Sequence, residues 1–110
     1  MRIRVNTDSN LEGREKVAAY VRGAVETGMS RFSGRITKVE VRLSDENGHK
    51  NGQAGKRCMI EARLVGRQAT TVAHRAATLD QAIDGAIGRS KRSLESALER
   101  QRDHRQASRG

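Results

Sequence analysis

A chain of 110 residues holds one compact domain, and an apolar share of 35%, against the ~45–50% usual for globular proteins, predicts a thin core of Val, Ile, Leu and Ala. With Tyr20 and Phe32 as the whole aromatic complement and no Trp, a binding site that stacks several bases or sugars on rings is excluded. Twenty-two Lys and Arg against 13 Asp and Glu leave a net charge of +9, which repels itself in the folded state unless a polyanion meets it; nucleic acid is the first such partner to consider.

Residues 2–7 alternate, with Ile3 and Val5 on one face and Arg2, Arg4 and Asn6 on the other, the period of a half-buried strand. Thr7, Asp8, Ser9 and Asn10 are helix-capping types, and beyond them Val17, Val21, Ala24, Gly28 and Phe32 recur at steps of three and four. A first helix is expected over about residues 11–32, weakened by ~1 kcal/mol at each of Gly23 and Gly28 relative to Ala and stopped at Ser33-Gly34. Period two returns from Arg35, where Val39, Val41 and Leu43 oppose Lys38, Glu40 and Arg42 in a second strand. Residues 44–56 hold Asp-Glu-Asn-Gly and Asn-Gly with no large apolar residue, which predicts a flexible hairpin loop. A third strand sets Cys58, Ile60, Ala62 and Leu64 inward and Arg57, Met59, Glu61 and Arg63 outward. Gly66-Arg67 turns the chain, and residues 68–74 form a fourth strand with Thr70, Val72 and His74 on one face. From Thr78, the stripe Leu79, Ile83, Ala86, Ile87, Ser90, Leu94, Ala97 and Leu98 predicts about five helical turns.

The order β-α-β-β-β-α predicts a single α+β domain over residues 1–105: a four-stranded sheet with two helices packed on one face, its first connection a right-handed crossover. Beyond about Gln101 almost nothing remains to bury, so the chain is expected to fray, with 106–110 a disordered basic tail.

The lone Cys58 forms no internal disulfide and fits a reducing compartment, the cytoplasm. Met1-Arg2-Ile3-Arg4-Val5 lacks the apolar run of a secretory signal, and no stretch approaches the ~18 apolar residues of a membrane span. His49, Cys58, His74 and His104 lack the paired spacing of a zinc site, and phosphate-cradling glycine motifs are absent. No catalytic residue, metal or cofactor is therefore assigned, and the chain is read as a non-enzyme. His74 reads as a core or edge histidine, and Cys58 as a small buried apolar residue.

Net charge is +2 over residues 1–34, +5 over 35–75, −2 over 76–88 and +4 over 89–110. The second helix thus starts acidic (Asp80, Asp84) and ends basic (Arg89, Lys91, Arg92, Arg100, Arg102), the order its macrodipole favours, and Lys91 and Glu95 are spaced to pair at i, i+4. A solvated helix face explains such pairs singly but not the total. Seventeen of the 22 basic residues are Arg, whose planar fork holds a phosphate bidentately. Arg89 and Arg92 share a face at i, i+3, while Arg22 and Arg31 punctuate the exposed side of the first helix. With both helices on one side of the sheet these groups are expected to converge in one positive ridge or groove. Arg22, Arg31, Arg89, Lys91, Arg92 and Arg100 are the candidate RNA-binding residues. A secondary patch is expected on the outer face of the sheet, where Arg2, Arg4, Lys38, Arg42, Arg57 and Arg63 are tempered by Glu40 and Glu61.

The element order, the run Val39-Glu40-Val41-Arg42-Leu43, and Gln81-Ala82-Ile83-Asp84-Gly85-Ala86-Ile87 followed by Arg89 and Arg92 resemble the ribosome hibernation-promoting factor and ribosome-associated inhibitor family, in its short form, over residues 1 to about 105. The resemblance implies a fold similar to double-stranded-RNA-binding domains. It further implies binding to the ribosomal RNA of the small ribosomal subunit, in the channel used by messenger and transfer RNA, which silences translation in stationary phase or stress. No membrane and no small-molecule substrate is implied, and off the ribosome a monomer is expected. By the same resemblance Arg89 and Arg92 match the basic positions of the second helix that touch ribosomal RNA. The next such position falls on Ser96, and the aromatic residue that precedes the family's Ala-Ile-Asp run is replaced by Asp80. Two readings from other classes stand beside this one. The first is a stand-alone structured-RNA binder, against which Thr78-Leu79-Asp80-Gln81 replaces the Lys-rich helix start of such domains; the second is a regulatory module that meets an acidic protein.

Overall fold

Alternating burial builds the sheet. In the computed structural model, which describes residues 1–8, 13–45 and 55–109 (101–109 by their backbone alone), β1 (Arg2–Thr7), β2 (Ile36–Asp45), β3 (Lys56–Leu64) and β4 (Ala69–Ala76) lie side by side in the order β1-β2-β3-β4. β1 runs parallel to β2, with the helix α1 (Arg14–Gly28) as the crossover between them, and the β2–β3 and β3–β4 pairs are antiparallel. Val39 sits between Ile3 and Ala62, and Val41 between Val5 and Ile60. A slip of one residue would turn all of these to solvent, so the apolar alternation sets the register.

A second helix, α2 (Leu79–Arg109), packs over β3 and β4, while α1 packs over β1. Val21 and Val25 of α1 and Ile83, Ala86 and Leu94 of α2 are buried in one cluster with Val39, Val41, Cys58, Ile60 and Ala62, so both helices cover the same face of the sheet, as predicted. The core is the expected Val, Ile, Leu and Ala set, closed by Met29, Phe32 and Cys58. Burial of Cys58 pushes its thiol from 9.0 up to about 12. Between those values the folded chain keeps a proton that the unfolded chain releases, so stability falls as pH rises through that window. Urea unfolding near pH 8 and near pH 10 is expected to show wild type losing about 1.4 kcal/mol more than Cys58→Ala between the two, most of it above pH 9; equal losses would remove the thiol as the cause.

Boundaries differ from the sequence reading where local breakers act. The first helix spans 14–28 instead of 11–32. Gly13, at φ 63°, is its N-cap, and a separate 3₁₀ turn, Ser30–Phe32, follows Met29 and tucks Phe32 into the core. The polar cluster at 7–10 is not what starts α1: Thr7 ends β1, the Asp8 N–H donates to the Leu43 carbonyl at 2.9 Å, and Ser9 and Asn10 lie outside the described residues. β2 continues to Asp45 and β3 begins at Lys56, so the 44–56 loop is shorter at both ends. Those two residues oppose each other in register, and their 2.5 Å ion pair offsets the burial of the Asp45 carboxylate. The rest of that loop, 46–54, lies outside the described residues.

α2 starts where predicted. The Thr78 hydroxyl accepts from the Gln81 N–H at 3.2 Å, and the Thr78 carbonyl from the Ala82 N–H at 3.0 Å, satisfying two of the orphan donors of the first turn. Its described backbone is helical to Arg109, past Gln101, where loss of apolar residues predicts fraying. Residues 99–109 contain no Gly or Pro and are rich in Arg and Gln, so local propensity favours the helix there.

Candidate nucleic-acid interface

Steps of three and four carry Arg89, Arg92, Ser96 and Arg100 along one flank of α2. That flank borders the edge strand β4. Arg89 Nη1 donates to the Ala73 carbonyl at 3.2 Å, and one turn earlier the backbone of Gly85 meets the His74 ring. The bond uses one of the five guanidinium donors of Arg89 and holds the exposed side chain at the sheet edge with the others available. Arg92 folds back over Gly88, its Nη1 lying 3.7 Å from where a Cβ would stand. Arg89, Arg92 and Arg100 are all exposed, and none of them forms an ion pair with a described carboxylate.

The other three candidates do not join this flank. Lys91 is half-buried on the opposite side of α2, one turn from Ile87, which meets Gly28 of α1. Its predicted partner Glu95 pairs instead with Arg31 of the 3₁₀ turn, whose guanidinium also stacks on the Phe32 ring, 4.8 Å from the centroid. Arg31 therefore has its charge met inside the fold. Arg22 is exposed on α1 but does not line the interhelical groove. Ala19, Tyr20, Gly23, Ala24, Thr27, Gly28, Asp84 and Ile87 line that groove, with no basic side chain among them. The expected convergence of arginines from both helices is thus corrected. The helices meet where Gly28 lets the backbones approach, a Cβ there falling 2.7 Å from Ile87 Cγ2, and long cationic side chains find no place in so close an approach.

Positive charge also gathers on the other side of the sheet, away from the helices, across β1, β2 and β3. On the helix-free face Arg2, Lys38 and Arg63 stand in register across three strands with no carboxylate in their row; like charges so placed repel unless an anion bridges them. The next row carries Arg4, Glu40 and Glu61, and Glu40 reaches Lys38 at 3.5 Å and Arg42 at 3.9 Å. Arg75, opposite Arg57, adds to this face and was not among the predicted outer residues. Arg67, read from the sequence only as part of a turn, donates from Nη1 to the Ala97 carbonyl at 3.3 Å and so ties the β3–β4 turn to α2. Its one sequence signal is its place beside Gly66, whose φ of 68° bends the turn. Among the described residues no group of three or more His, Cys, Asp and Glu is placed to hold a metal ion, and no helix is long and apolar enough to cross a membrane.

Fold and surface together define a β-α-β-β-β-α domain with a one-sided helical layer, a bare basic sheet face and an arginine-lined helix flank. The chain belongs to the Sigma 54 modulation protein / S30EA ribosomal protein family, whose model matches residues 4–102. The membership read from the motifs of β2 and α2 is thereby confirmed. Among solved structures, the fold is similar to a ribosomal subunit interface protein from Coxiella burnetii, at a TM-score of 0.67 and 11% identity over 90% of this chain and 99% of the other. It is also similar to the N-terminal domain of Protein Y from Thermus thermophilus, at a TM-score of 0.60 and 26% identity over 91% of this chain and 98% of the other. No curated protein matches the sequence.

Proposed function

We propose that this protein binds the small ribosomal subunit through the phosphates of its ribosomal RNA and occupies the channel that messenger and transfer RNA use, silencing translation in stationary phase or stress. It does so in the cytoplasm, as a monomer before it binds, and without catalysis. The observation that carries the reading is the flank of Arg89, Arg92 and Arg100, exposed and without described carboxylate partners, on a domain of this ribosomal family. A preformed cationic surface releases counterions from folded RNA, and phosphate spacing and shape select the site more than base edges do. Lacking an aromatic platform, the domain has little means to read bases by stacking.

Co-sedimentation of the full chain with purified small subunits, large subunits and a plain RNA duplex tests this over a salt series. Pelleting with small subunits is expected at low salt, with affinity falling by about 10³-fold between 50 and 200 mM if about six phosphates are neutralised. Equal affinity for the plain duplex would replace the ribosomal reading by a stand-alone RNA binder. Capture of a partner from nuclease-treated extract, with no pelleting of subunits, would replace it by an acidic protein.

A further inference from the structure

We propose that the chain carries a second anion site, which shares Arg100 with the α2 flank: a pocket between the β3–β4 turn and the C-terminal half of α2 that takes a nucleotide-sized phosphorylated ligand, either free or as one nucleotide of an RNA strand. The cavity measures about 830 Å³, within the ~300–1,000 Å³ typical of small-molecule pockets. Three arginines from three different elements are among its lining residues, Arg63 from β3, Arg67 from the turn and Arg100 from α2, and its lining includes no carboxylate. None of the three forms an ion pair with a described residue.

Arg67 is held in place by its bond to the Ala97 carbonyl, which leaves most of its donors for a ligand and removes much of the entropy cost of ordering the side chain on binding. The lining also includes Thr70, whose hydroxyl is buried and has no hydrogen-bond partner in the protein. A buried hydroxyl left unpaired is costly, and a ligand oxygen beside it would remove that cost. Several guanidinium forks around one space suit a group with several charged oxygens, which is phosphate chemistry. With no aromatic side chain in the lining, recognition rests on the phosphate and not on a stacked base.

The test is calorimetric titration of the full chain, without ribosomes, with inorganic pyrophosphate and with a short 5′-phosphorylated oligoribonucleotide. Arg100→Gln and Arg67→Gln are compared with Lys16→Gln, which removes one exposed charge from α1 far from the lining. Each pocket variant is expected to weaken binding about tenfold, with Lys16→Gln near wild type. Loss confined to the oligonucleotide assigns the phosphate to RNA, and loss with pyrophosphate assigns a free ligand. Should Arg67→Gln fail to fold, Arg63→Gln decides, because Arg63 lies outside the α2 flank and its side chain bonds no described residue in a hydrogen bond or ion pair. If neither probe distinguishes the pocket variants from Lys16→Gln, the site does not exist. The measurement does not depend on subunit binding, so either reading can fail while the other stands.

Discussion

Arg89→Glu combined with Arg92→Glu is expected to abolish co-sedimentation with small ribosomal subunits while leaving the protein folded. Both side chains are exposed, and their one hydrogen bond to the described fold runs from Arg89 to the Ala73 carbonyl at the rim of the sheet. Thermal unfolding should therefore move little. Binding should not: a charge-assisted hydrogen bond contributes about 1.5–3 kcal/mol, so removing two such bonds to phosphate weakens affinity by about 10²–10⁴-fold before repulsion is added. The variant should also show a shallower dependence on salt, the slope falling by about two in the log-log plot. Arg31→Glu serves as the contrast. Glu95 already engages Arg31, so that change is expected to unsettle the junction of the two helices more than it weakens binding. Undiminished pelleting of the folded double variant would exclude the α2 flank as the binding surface.

Gly85→Ala is expected to destabilise the protein by about 1–3 kcal/mol, although the same change in an open helix is worth about 1 kcal/mol in the opposite direction. A Cβ at this position would lie 2.1 Å from Cδ2, 2.4 Å from Nε2 and 2.6 Å from Cγ of His74. All three atoms belong to one rigid ring on β4, so no small rotation of a flexible tip relieves the overlap; the whole ring must leave its rotamer or strand and helix must separate, and either costs stability. The loss matters in a domain whose whole stability is of order 5–15 kcal/mol. Removing the ring should reverse the sign: in a His74→Ala background, Gly85→Ala is expected to be neutral or stabilising. Chemical denaturation of the four proteins of this cycle measures the coupling. A rise in stability for Gly85→Ala alone would mean that the helix does not press on the ring.

Fold and site are written into the chain in different ways. The alternation of Val39, Val41 and Leu43 against Lys38, Glu40 and Arg42, and of Cys58, Ile60, Ala62 and Leu64 against their neighbours, is enough to place two central strands and the face they bury, because period two has one meaning on a pleated surface. The stripe from Leu79 to Leu98 likewise determines that α2 exists and which side it buries. Gly85, by contrast, looks in the sequence like a weak point in a helix. Its necessity comes from a histidine on another element.

Sequence alone determined the number, order and inward faces of the elements, the one-sided helical layer, the family, and a flank of α2 rich in arginine. The tertiary structure decided which charges remain available. Arg31 is near to Arg22 in sequence but pairs with Glu95 across the helix pair, the interhelical groove is lined without a basic side chain, and Arg67 and Arg100 line one pocket at the far end of the sheet. The physical reason is that hydrophobic periodicity reports how a segment faces the core, an averaged and local property. Electrostatic partnership depends on distances of a few ångströms between side chains from remote segments, and those distances exist only once the helices have been set on the sheet.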